Sequence, residues 1–144
     1  MIELRHVGIV VDDIQSELLL WTEGFAFQIS SDLIEEGPEV SGLIGLDEVK
    51  LRSIKMKSVN SKCLVELIQF FHPKNLIESP PTCVNSQGIT HIALTVKNLA
   101  ETISRLERFA VTIVGRPTLS RNQTTKGVYI RTNQGTLLEL VEEL

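Results

Sequence analysis

The sequence predicts an α+β protein made of two tandem βαβββ modules, and three observations carry that expectation. The segment His6-Val7-Gly8-Ile9-Val10-Val11 returns later as His91-Ile92-Ala93-Leu94-Thr95-Val96, an internal repeat that begins on histidine both times. A second repeat follows near the end of each copy, where Leu64-Val65-Glu66-Leu67-Ile68 matches Leu137-Leu138-Glu139-Leu140-Val141, both centred on glutamate. Composition supplies the third observation. Apolar residues make up 42% of 144, and a chain of this length hides about 70% of its unfolded surface on folding, so a core and a site fit without disulfide staples. Disordered and collagen-like classes are excluded by the same numbers.

The elements follow in order. Residues 6–11 alternate as a strand, Asp12-Asp13-Ile14 forms a polar joint, and residues 16–23 carry helical spacing. Strand patterns then occupy 24–33, 49–57 and 63–71, with Val59-Asn60-Ser61 as a turn between the last two. The second copy repeats the plan: a strand over 91–96, the joint Lys97-Asn98-Leu99 with Asn98 as N-cap, a helix over 100–109, and strands over 111–114, 127–132 and 136–142. Asn133-Gln134-Gly135 is placed as a hairpin loop. Module one therefore spans 1–72 and module two 89–144 of a single domain, joined by a linker over 73–88 whose Pro80-Pro81 breaks both helix and strand. The histidines are 85 residues apart and the glutamates 73, so copy one is longer by 12, an excess assigned to a loop or lid over 35–48.

Several function classes fall away. With 14 Lys and Arg against 18 Asp and Glu, the net charge is −4, the opposite of a phosphate-seeking surface, so no nucleic acid is expected as partner. The longest apolar runs are far shorter than the roughly 18 residues of a membrane helix. The N-terminus enters a strand pattern directly, without the leader of a secreted chain, which suggests a cytoplasmic protein. Cys63 and Cys83 lack C-x-x-C spacing and are expected as free thiols. The sequon at Asn122 then carries no meaning. No G-x-S-x-G, Walker or G-x-G-x-x-G motif is present, so no nucleotide cofactor is indicated. Phe70, Phe71, Trp21 and Tyr129 are expected to pack.

The chemistry lies in the two repeats. Strand side chains alternate, so His6 shares a face with Gly8 and Val10, and Glu66 lies between Leu64 and Ile68 on an otherwise apolar face. Burying a carboxylate there is costly unless it is paired or metal-bound. Copy two repeats the pattern with His91 beside Ala93 and Thr95, and Glu139 between Leu137 and Val141. A single strand histidine is ordinarily structural, but two matched His–Glu pairs point to a metal site. His72 has no counterpart and is expected at the surface.

A histidine heading strand one and a glutamate in strand four of each module resembles the vicinal oxygen chelate superfamily, the glyoxalase I, bleomycin-resistance and extradiol-dioxygenase group. The resemblance covers nearly the whole chain. It implies that the curved sheets form an open barrel around one divalent metal, with His6, Glu66, His91 and Glu139 as its ligands. It also implies a homodimer. The two-His, two-Glu set is closest to glyoxalase I, of the lactoylglutathione lyase type. Methylmalonyl-CoA epimerases usually carry Gln where Glu66 stands, dioxygenases and fosfomycin thiol transferases use two His and one carboxylate, and bleomycin-binding members generally lack the ligands. One departure is a first helix, 15–24, about two residues shorter than the family's usual pattern.

Two carboxylates and two neutral imidazoles balance a divalent ion, and Ni, Zn, Co, Mn and Fe(II) all suit such donors. The expected substrate is a small molecule with adjacent oxygens, including a glutathione or CoA thioester adduct, from which a loosened glutamate takes an α-proton. Glu139 is expected to be the principal catalytic base, with Glu66 the other catalytic candidate. Two alternatives stay open, an epimerase-like enzyme and a non-catalytic, antibiotic-sequestering binder. Lys50, Arg52, Lys55, Lys57, Arg116 and Arg131 are candidates for a substrate's anionic handle, although each reads more simply as a solvated strand-edge charge. Glu48 is a candidate second base, with a plain surface carboxylate as its default.

Overall fold

A computed structural model describes residues 1–76 and 81–144. The chain divides into two compact units, Met1–Glu78 and Ser79–Leu144. Pro80 of the predicted Pro80-Pro81 break lies outside the described residues.

The first unit runs β1 (His6–Val10), α1 (Ile14–Leu19), a π-helical turn (Leu20–Gly24), β2 (Gln28–Glu36), α2 (Pro38–Ile44), β3 (Lys50–Lys57) and β4 (Leu64–His72). Its open sheet has the order β1-β4-β3-β2, with β1 parallel to β4 and the other pairs antiparallel. The second unit runs β5 (His91–Val96), α3 (Leu99–Leu106) with a 3-10 turn (Glu107–Phe109), β6 (Thr112–Ile113), β7 (Thr118–Leu119), β8 (Thr125–Arg131) and β9 (Leu137–Glu143). Its sheet has the order β5-β9-β8-β6, and β7 also pairs with β8. The chain is α+β, with two sheets and few helices.

The repeat extends to register. Gly8 is the cross-strand partner of Glu66, and Ala93 is the partner of Glu139. His6 likewise faces Leu64 as His91 faces Leu137. One row of each sheet is buried beneath a helix: Ile9, Leu67, Ile54 and Met56 with Ile14, Leu18 and Trp21 in unit one, and Leu138, Leu140, Val128 and Ile130 with Leu99 and Leu106 in unit two. Each such side chain contributes about 1.5–3 kcal/mol by leaving water. Alternation then sends His6, Glu66, His91 and Glu139 to the opposite face of their own sheets.

Both helices are tied to the strand that carries the glutamate. The Ile14 N–H donates to Gln69 Oε1 at 3.2 Å, and the Leu99 N–H donates to Glu142 Oε2 at 2.8 Å. The predicted N-cap Asn98 accepts from the Glu101 N–H at 2.9 Å, and Asp13 does the same for Gln15 and Ser16.

Three expectations need correction. The first helix starts earlier than 16 and ends in a wide turn, in which the Phe25 N–H bonds the Leu20 carbonyl at 3.1 Å. This turn buries Trp21 completely between Phe25 and Phe27, with ring centroids 5.5 and 4.9 Å away, and consumes residues that alternation had assigned to a strand over 24–33. The strand therefore starts at Gln28. The predicted loop over 35–48 contains α2, which Pro38 opens and Gly45, at φ 77°, closes in the left-handed region. No residue of α2 is buried. The short strand β7, two residues long and without an alternation signal, pairs with β8 through Thr118 and Leu119.

Candidate metal centre

In module one, His6 opens β1 and Glu66 is the third residue of β4, so the parallel pairing of these strands brings His6 Nε2 to 3.0 Å from Glu66 Oε2. Strand β3 adds two groups to the same carboxylate. Ser53, itself buried, donates its hydroxyl to Glu66 Oε1 at 2.5 Å, and Lys55 Nζ stands 3.5 Å from that oxygen. Lys55 is the cross-strand partner of Glu66, which is why it arrives there. His6 Nδ1 is buried and has no hydrogen-bond partner.

Module two repeats the pair with different neighbours. His91 Nε2 is 3.5 Å from Glu139 Oε2. Thr90 Oγ1 is 2.9 Å from His91 Nδ1, and Tyr129 Oη is 3.3 Å from His91 Nε2. The Tyr129 ring meets the imidazole edge-on, with centroids 4.9 Å apart. Each hydroxyl can donate or accept, so both neutral tautomers satisfy the two contacts; in one of them Nδ1–H donates to Thr90 and Nε2 keeps its lone pair. That is also the form in which an imidazole ligates a metal. Burial pushes the Tyr129 phenol above its usual pKa, and the Glu139 charge adds to the shift.

The donor set fits a divalent cation. With donors about 2.0–2.2 Å from such an ion, two ligands at right angles lie about 3.0 Å apart, and at the tetrahedral angle about 3.4 Å. The two His–Glu separations, 3.0 and 3.5 Å, match these spacings. The shorter one is equally the length of a hydrogen bond from a protonated nitrogen. Each module gathers two candidate ligands, and among the described residues no group of three or more His, Cys, Asp or Glu side chains is gathered.

The remaining candidates are placed elsewhere. Arg52 holds Asp32 through two bonds of 2.9 and 2.7 Å, which lowers the Asp32 pKa and raises that of Arg52. Lys50 pairs with Glu36 at 2.9 Å, and Arg131 donates to the carbonyls of Gly135 and Thr82. Lys57 and Arg116 are exposed. Of the six cationic candidates, Lys55 alone touches a predicted ligand. Glu48 precedes β3 at the end away from Lys55, and its carbonyl lies 2.7 Å from Nδ1 of the exposed His72, beside a shallow cavity of about 460 Å³. Both cysteines are free.

Three residues at the pairs were not anticipated as such: Ser53, Lys55 in its contact with Glu66, and Tyr129, which was expected to pack. Their signal is cross-strand position. Tyr129 faces Glu139 as Lys55 faces Glu66, and counting back from the Asn133-Gln134-Gly135 turn would have found the tyrosine.

Two modules built on one plan, each presenting a His–Glu pair on the sheet face away from its helix, define the class of fold. The chain belongs to the glyoxalase/bleomycin resistance protein/dioxygenase superfamily, whose pattern matches residues 5–129. Proteins of this superfamily typically bind a divalent metal, and it contains many enzymes. The fold is similar to that of a glyoxalase family protein from Bacillus cereus, with a TM-score of 0.91 and 24% identity over 100% of this chain and 95% of that one. It is also similar to a fosfomycin resistance protein from Listeria monocytogenes (TM-score 0.65, 15% identity, 100% and 96% covered). An antibiotic binding protein from Streptomyces sp. CB03234 shares the fold as well (TM-score 0.64, 13% identity, 100% and 98% covered). The sequence matches no curated protein. Among the described residues, no helix is long and apolar enough to cross a membrane.

Proposed function

We propose that the protein is a metal-dependent lyase or isomerase of the glyoxalase I type, moving a proton on a small substrate that chelates through adjacent oxygens. The observation that supports it most is the doubled His–Glu pair, set at the same register in both sheets. In this reading His6, Glu66, His91 and Glu139 hold one divalent ion. When bound, such an ion polarises chelated oxygens and stabilises the negative charge that builds on them as the α-proton leaves.

The chain's own residues divide the remaining work. Ser53 and Lys55 hold Glu66 still, which suits a fixed ligand. Glu139 has no comparable clamp and a side chain 30% exposed, so it is the carboxylate that can turn towards the substrate and accept the proton. Tyr129 steadies the His91 ring and covers one side of it. The substrate class is a hydroxy ketone, hemithioacetal or β-keto thioester, carried as a glutathione or CoA adduct, and the working assembly is a homodimer.

The test is turnover of the methylglyoxal–glutathione hemithioacetal by protein loaded in turn with Ni, Zn, Co, Mn and Fe(II). Turnover with at least one ion, abolished by chelator and restored by metal, is the expected result. Turnover of a CoA thioester in its place makes the protein epimerase-like. Tight binding of an antibiotic-like molecule without turnover of either substrate makes it a sequestering protein.

A further inference from the structure

We infer that Lys55 is a built-in counter-cation that competes with the divalent ion for Glu66, so that module one tunes the metal affinity of the site. The inference rests on the proposed metal reading and concerns a residue that there helps to hold Glu66 without itself being a ligand. Both oxygens of Glu66 are already engaged, Oε1 by the Ser53 hydroxyl at 2.5 Å and the Lys55 ammonium at 3.5 Å, and Oε2 by His6 at 3.0 Å. The Glu66 side chain is only 11% exposed and that of Lys55 30%, so water screens the pair less than it would at an open surface.

Module two provides the internal comparison. Tyr129 occupies the cross-strand position of Lys55, and Gly127 occupies that of Ser53. A side chain cannot easily be added at Gly127, because a Cβ there would stand 3.3 Å from the Leu140 carbonyl oxygen. Among the described residues no Lys or Arg lies within ion-pair distance of Glu139. Glu139 therefore meets a cation with no ammonium beside it, whereas Glu66 has Lys55 Nζ 3.5 Å from one of its oxygens. A divalent ion arriving at Glu66 meets the ammonium a few ångströms away, and either Lys55 withdraws or the ion binds against its repulsion. Both routes weaken binding. Removing the charge should tighten it by about tenfold or more, which corresponds to about 1.4 kcal/mol per factor of ten.

The experiment titrates Mn²⁺ and Zn²⁺ into the metal-free full chain by calorimetry, with the Mn²⁺ signal also followed by paramagnetic resonance. Lys55→Met and Lys55→Gln, which remove the charge in two different shapes, should each lower the Kd at least tenfold. Lys55→Arg keeps the charge and should stay within about threefold of the parent, as should Lys62→Met, which removes an exposed lysine outside the site. If parent and both neutral variants bind equally tightly, or the variants bind more weakly, Lys55 is not a competitor, while the metal reading stands. If Lys62→Met tightens binding as much as Lys55→Met does, the effect is overall charge and the inference fails. If neither the parent nor any variant binds either ion, the inference and the metal reading fall together.

Discussion

Glu66 and Glu139 occupy the same register position in two sheets of the same plan, yet their surroundings differ. Glu66 is 11% exposed at its side chain and gripped by Ser53, Lys55 and His6, whereas Glu139 is 30% exposed and has His91 at 3.5 Å with Tyr129 beside that ring. The backbone repeats while the flanking strand does not. A carboxylate held by three groups loses little further freedom as a ligand, and one with a loose partner keeps the freedom that proton transfer needs. In the proposed reading, a duplicated scaffold separates two roles through residues on the strand beside each glutamate, Ser53 and Lys55 in one sheet and Gly127 and Tyr129 in the other.

The largest expected effect tests that separation directly. Glu139→Gln should slow α-proton exchange into deuterated water, for a chelating substrate at matched metal occupancy, by about 10² to 10⁴, the size of a general-base contribution. Glu66→Gln should slow it less. The opposite order exchanges the two roles, and fast exchange in both variants removes proton transfer from the function. Next in size is ligand loss. His6→Ala and His91→Ala should each weaken metal binding by more than the roughly 10- to 100-fold that attends changes one layer further out. Elemental analysis showing full occupancy in both would end the paired-ligand reading.

The buried faces should behave alike where the His–Glu faces differ. Leu67 and Leu140 each follow the glutamate by one residue and are fully buried, so Leu67→Ala and Leu140→Ala should each cost about 2–5 kcal/mol in denaturant unfolding. A cost below about 1 kcal/mol for either would show that its unit is packed loosely. The smallest effect belongs to Tyr129, the sole tyrosine of the chain, whose ionisation an ultraviolet titration reads alone. Burial, with Glu139 second, raises its pKa, so the midpoint should lie above the ordinary value of about 10. Because the folded value is raised, its contribution to stability is complete below the unfolded pKa and is lost as pH rises through the folded one. Glu139→Gln should lower the midpoint in part and leave the larger share, due to burial, in place.

Much of this molecule was legible in the sequence because the relevant signals are local. Alternation over five or six residues decides which face a strand side chain takes, and the recurrence of His and Glu at matched positions required only that this rule apply twice. The βαβββ plan of the repeat, the Asn98 cap and the shared placement of His and Glu on the face away from the helix follow from that, while the His6–Glu66 and His91–Glu139 contacts needed the parallel pairing of the first and last strands of each module. The helix inside 35–48 was missed because α2 buries no residue and so shows no apolar stripe, even though Pro38 and Gly45 mark its ends.

The tertiary structure decided what stands around each glutamate. Lys55 and Ser53 reach Glu66, and Tyr129 reaches His91, only through the antiparallel registers of β3 with β4 and β8 with β9. Gln69 and Glu142 meet their helices only because those helices pack against the strands that carry them. A shift of one residue in either register would turn these side chains to the opposite face without changing a letter of the sequence. Local alternation thus determined the sheet face that His6, Glu66, His91 and Glu139 take, and long-range pairing determined which groups stand beside them.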